Sequence, residues 1–156
     1  MNTRTLLIAL LVLGLVAVLV LARRSQRVLL DGLPLRIVAT SQAEAQALAG
    51  PGAIAVLGTG SMAPYIPFAA TGLDPLATVC AYVVLVPGAT VEAVTPGALC
   101  IYVPEWARRN VMHQAATFAE GGWIMTGLHN QDYENRERMT GRNFVGLVAR
   151  TYVWPQ

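Results

Sequence analysis

The chain has 156 residues, a formal net charge of +2 and 54% apolar residues, which suits one domain with a modest core. It holds no lysine, two histidines and two cysteines, so serine–lysine mechanisms and a disulfide framework are excluded. Its arginines form no basic stripe with interleaved aromatics, so nothing points to nucleic acid.

Leu6 to Ala22 is an unbroken apolar run of 17 residues, which Thr5 extends to 18. As a helix it spans about 27 Å, near the lower limit for crossing a bilayer. It predicts a single membrane anchor, with residues 1–27 as anchor and basic flank and 28–156 as a β-rich domain. A cleaved leader is the alternative, since Arg4 precedes the run and Val20-Leu21-Ala22 is a tolerable cleavage site. Arg23, Arg24 and Arg27 follow it, and the positive-inside bias would put the domain in the cytoplasm.

Leu35 to Thr40 reads as a short strand. Ser41-Gln42-Ala43-Glu44 is a capping box that opens a helix to Ala49, and Gly50-Pro51-Gly52 stops it. The rest reads as β: Ala53 to Leu57, Thr78 to Val86, Leu99 to Val103, Val111 to Thr117, Trp123 to Thr126 and Phe144 to Val153. Pro87-Gly88 and Pro96-Gly97 mark turns between them. Short strands with frequent turns predict a mostly β fold, a small β-sandwich or barrel. Asn130 to Asn143 is a polar loop of the kind that often carries function.

Cys80 and Cys100 recur in similar settings, Cys80-Ala81-Tyr82-Val83 and Cys100-Ile101-Tyr102-Val103. They read as buried thiols, with a cross-strand disulfide as the alternative. No His or Cys cluster stands near either, so no metal site is implied.

Ser61 lies in Gly58-Thr59-Gly60-Ser61-Met62-Ala63-Pro64, at the end of the apolar run 53–57. A serine at a strand mouth, flanked by glycines, reads as an exposed nucleophile. It needs a base to take its proton. With no lysine, the candidates are His113 and His129. The backbone amide of Ser61 is the natural first oxyanion donor. Met62 and Pro64 read as residues that shape the turn and line a substrate cleft.

The ordered set of motifs resembles signal peptidase I. It comprises an amino-terminal anchor, Gly60-Ser61-Met62-Ala63-Pro64, Pro96-Gly97-Ala98-Leu99-Cys100-Ile101-Tyr102, Val111-Met112-His113, Gly127-Leu128-His129-Asn130 and Val145-Gly146-Leu147-Val148-Ala149. Together they cover most of residues 53–154. Bacterial members use a lysine base. The archaeal and endoplasmic-reticulum subtype uses histidine, and His113 falls at that position, although Gln114 replaces the usual arginine.

The resemblance implies a membrane-anchored serine endopeptidase that removes signal peptides, with Ser61 as nucleophile and His113 as base. It implies Thr59 as a second oxyanion donor, by its hydroxyl. It places the group that orients His113 in the polar loop. Glu134 is the preferred candidate and Asp132 and Asn135 are alternatives, because Asn135 falls where the family has its acid. His129 replaces a family aspartate and reads as a loop residue without a catalytic role. The implied partners are the lipid bilayer and an exported precursor with small residues before the cut. No cofactor is implied. The family's substrates emerge outside the cytoplasm, so the domain is expected there despite the basic flank. The departures at His129 and Asn135 keep an alternative: an inactive membrane-tethered β-module that serves as a scaffold or assembly factor.

Overall fold

The structure is a computed structural model that describes residues 32–129 and 138–156. The predicted anchor and the loop candidates Asp132, Glu134 and Asn135 lie outside the described residues. Among the described residues, no helix is long and apolar enough to cross a membrane.

Leu33–Gln156 is one compact unit. It is mostly β, as expected, and seven strands among the described residues form a curled sheet with largely antiparallel pairing. The strands are β1 (Leu35–Val38), β2 (Ile54–Leu57), β3 (Val79–Leu85), β4 (Leu99–Tyr102), β5 (Val111–Ala119), β6 (Gly122–Thr126) and β7 (Phe144–Val153). The spatial order is β2-β3-β7-β4-β5-β6, with β1 pairing β7 in parallel.

The long strand β7 organises the sheet. Its carboxy-terminal half pairs with β3, where Ala81 faces Val153 and Val84 faces Arg150. Its amino-terminal half pairs with β4, where Cys100 faces Leu147 and Ile101 faces Gly146. The repeated Cys-x-Tyr-Val segments are therefore the two strands that flank β7. Because β7 lies between them, Cys80 and Cys100 are not cross-strand neighbours, and both are buried free thiols.

A helix, α1 (Gln42–Ala49), lies between β1 and β2. Ser41 caps it by accepting from the Glu44 amide at 3.2 Å. Glu44 reaches back one residue further than a capping box predicts, to the amide and hydroxyl of Thr40, each at 2.6 Å. Gly50, at φ +77°, ends the helix in a conformation glycine adopts without steric cost. The helix buries Ala45 in a cluster with Tyr82, Tyr152 and Trp154. A second cluster under β4–β6 gathers Cys100, Tyr102, Ala115, Trp123, Met125 and Met139. Each half of the sheet thus has its own apolar core, and β7 joins the two.

Candidate active site

Ser61 stands in a long excursion between β2 and β3. Gly58 pins the start of it from both sides. Its amide donates to the Thr78 carbonyl at 3.0 Å, and its carbonyl accepts from the Ala69 amide at 3.1 Å. A Cβ at Gly58 would overlap Cys80 Sγ and stand 2.8 Å from the Ala69 nitrogen, so no side chain fits. Gly60, at φ +87°, turns the chain just before the serine, and a Cβ there would meet the Phe68 ring at 2.7 Å. The Ala63 amide then donates to the Gly60 carbonyl at 3.0 Å, which closes the turn around Ser61.

Two further contacts hold the turn to the sheet. The buried Tyr65 hydroxyl donates to the Pro34 carbonyl at 3.0 Å and lies 2.9 Å from Thr151 Oγ1 on β7. From the other side, the His129 amide donates to the Ser61 carbonyl at 3.0 Å. His129 is an exposed residue that reaches Ser61 through its backbone.

The imidazole at the Ser61 hydroxyl is that of His113, with Nε2 at 3.3 Å from Oγ. His113 belongs to β5 and is buried, at 6% exposure. The two residues are 52 positions apart in sequence. The distance is long for a hydrogen bond. Burial pushes the His113 pKa down to about 4, so the ring is neutral at physiological pH and able to accept a proton.

On the far side of the ring, Nδ1 lies 3.1 Å from the Tyr102 hydroxyl on β4. In the sequence Tyr102 is part of a strand-like run and of the repeated Cys-x-Tyr-Val segment, with no role of its own. The cue to its position is the spacing Cys100-x-Tyr102, which puts both side chains on one face of β4. Thr59 Oγ1 lies 3.4 Å from Ser61 Oγ.

Thr59, Ser61 and His113 open onto a cleft of about 320 Å³. Its walls are largely apolar, with Leu57, Ile66, Leu76, Trp106 and Met112 among them. Met62 also lines the cleft and is buried, whereas Pro64 is exposed and is not among the lining residues. Across the rim, Arg109 Nη1 donates to the Leu76 carbonyl at 3.0 Å and ties two loops together. Strand β2, which supplies Val56 and Leu57 to the cleft, is an edge of the sheet among the described residues.

The structure therefore brings together Ser61, His113, Thr59 and Met62 from the sequence-level candidates, and adds Tyr102 and the segment Gly127–His129. In comparisons with known proteins, no family model, no curated protein and no solved structure matches this chain.

Proposed function

We propose that the protein is a membrane-anchored serine endopeptidase of the signal peptidase type, working through a serine–histidine pair. The observation that carries this reading is the approach of His113 Nε2 to Ser61 Oγ at 3.3 Å, beside an apolar cleft. A neutral, buried imidazole next to a serine on a glycine-held turn is the arrangement that nucleophilic acyl transfer requires.

In the proposed reaction, Ser61 Oγ attacks the scissile carbonyl as its proton passes to His113 Nε2. The tetrahedral intermediate places its oxyanion near the Ser61 amide and the Thr59 hydroxyl. Collapse breaks the C–N bond, and the imidazolium returns the proton to the leaving amine. Water, deprotonated by the same nitrogen, then hydrolyses the acyl ester and regenerates Ser61. The substrate is an exported precursor, bound as an extended segment along the β2 edge with small side chains before the cut. The domain is proposed to act outside the cytoplasm, tethered by the run 6–22.

A serine-directed acylating probe tests this reading. It should label the wild-type chain and not Ser61→Ala, and the same variant should lose cleavage of an exported test precursor while remaining folded. Full cleavage by Ser61→Ala would overturn the serine mechanism. A chain that never reacts with the probe would be the scaffold module instead.

A further inference from the structure

We propose that Tyr102 is the positioning residue that sets the tautomer of His113, by accepting the Nδ1 proton on its phenol oxygen. The strand register makes this contact possible. Cys100 on β4 faces His113 on β5, and Tyr102 comes two residues later on the same face. That puts Tyr102 diagonal to His113, at a separation a long aromatic side chain can span. The ring centroids are 6.0 Å apart, tilted by 50°, and the hydroxyl meets Nδ1 at 3.1 Å. Both residues are buried.

A neutral imidazole donates from one nitrogen and accepts at the other. Two concerted donor orders are consistent with the three contacts that link Thr59, Ser61, His113 and Tyr102. In one, Thr59 donates to Ser61 Oγ, Ser61 donates to Nε2, and Nδ1–H donates to Tyr102. In the other, every arrow is reversed and Nε2 carries the proton. Only the first leaves Nε2 free to act as a base, so the inference rests on the peptidase reading.

The first order has a second consequence. When Ser61 gives up its proton, both imidazole nitrogens become donors, and the bond from Nδ1–H to Tyr102 persists unchanged. The acceptor is in place before the charge forms, so the site need not reorganise. Tyr102 offers its phenol oxygen to the same N–H in both states. Among the described residues, the other groups that face the ring or its cleft are Ser61 and Thr59 from the turn, Cys100 from β4 and Arg109 from the rim. Burial pushes the Cys100 thiol up to about 12, so it stays uncharged, and burial likewise lowers the basicity of His113.

The test is nitrogen NMR of the ¹⁵N-histidine-labelled full chain in detergent, with His113→Gln and His129→Gln used to assign the two rings. Wild type should show His113 with Nδ1 protonated and Nε2 bare. Tyr102→Phe, which removes one oxygen, should move the equilibrium toward the Nε2–H form. Cleavage by that variant should fall roughly tenfold to a hundredfold in kcat with KM little changed, as expected when a base is held in the wrong tautomer. A bare Nδ1 in wild type, or an unchanged tautomer in Tyr102→Phe, would overturn the inference. If Tyr102→Phe does not fold, the wild-type spectrum alone decides. The tautomer is read without any reaction. A wild-type ring as proposed together with a fully active Ser61→Ala would therefore sink the peptidase reading and leave Tyr102 standing.

Discussion

Gly127 packs directly against the backbone of Ser61: a Cβ added there would stand 2.5 Å from the Ser61 carbonyl oxygen and 3.2 Å from its Cβ. Two residues on, the His129 amide donates to that same carbonyl. Ser61 is thus positioned from outside its own turn.

Gly127→Ala should displace Ser61 by a fraction of an ångström, because the atom it meets is backbone and cannot rotate away. Cleavage should fall roughly tenfold or more, since small misplacements of a reacting group are costly. Thermal unfolding should change much less than for a core deletion. The kcat of the variant, measured beside its melting temperature, checks this. Wild-type kcat in a folded Gly127→Ala would contradict it.

Burial sets the pH behaviour. The His113 pKa stands at about 4, against an ordinary value of 6.5. Between those values the unfolded chain binds a proton that the folded chain refuses, so stability rises with pH across the window. It is fully present above about 6.5 and is lost as pH falls toward 4, by about 3 kcal/mol from this group. Denaturant unfolding at a series of pH values should show that slope, and His113→Gln should flatten it. The acid limb of kcat/KM should likewise lie near 4, so activity persists at pH 5 to 6. An acid limb near 6.5 would count against the buried neutral base.

Thr59→Val keeps the shape of the side chain and removes its hydroxyl. If that hydroxyl stabilises the oxyanion, kcat should fall about a hundredfold with KM nearly unchanged. Thr59→Ser should retain most of the rate. Equal rates for Thr59→Val and wild type would remove Thr59 from the mechanism and leave the Ser61 amide as the donor.

Much of this fold was legible because its signals are local. The helix start at Ser41 and Glu44, the stop at Gly50 and the strand 144–153 all emerge where propensity and turn residues place them. The serine turn was legible for the same reason: Gly58, Gly60 and Ser61 sit within four residues. His113 was reachable by elimination, in a chain without lysine. Tyr102 and Gly127 were not, because their roles depend on register between distant strands. Shifting β4 by one residue would turn Tyr102 to the other face, and no local pattern records that pairing. The parallel pairing of β1 with β7 is hidden in the same way, as its partners are more than a hundred residues apart.

Gly58→Ala tests the base of the nucleophile turn. The new methyl would overlap Cys80 Sγ and crowd the Ala69 nitrogen. Overpacking of this kind costs about 1–3 kcal/mol. Cys80→Ala should recover part of that loss in the double variant, since it removes one of the two clashes. Denaturant midpoints of the two single variants and the double would measure the coupling. Strict additivity would mean that Cys80 is not what excludes a side chain at position 58.

Membrane orientation is open to direct measurement. The proposed activity requires the domain outside the cytoplasm, whereas Arg23, Arg24 and Arg27 favour the opposite. A reporter fused after Gln156, active only on one side, should report the outer side. Protease protection in sealed vesicles should agree. A cytoplasmic carboxy terminus would count heavily against precursor processing.

The role of β7 has a consequence for biosynthesis. Ser61 and His113 leave the ribosome well before Phe144–Val153, yet the sheet halves that carry them are joined through that strand. Until β7 is made, the two halves lack the strand that pairs with both, and the spacing of Ser61 and His113 lacks the support of that shared strand. The proposed activity would therefore begin only once that last strand is in place.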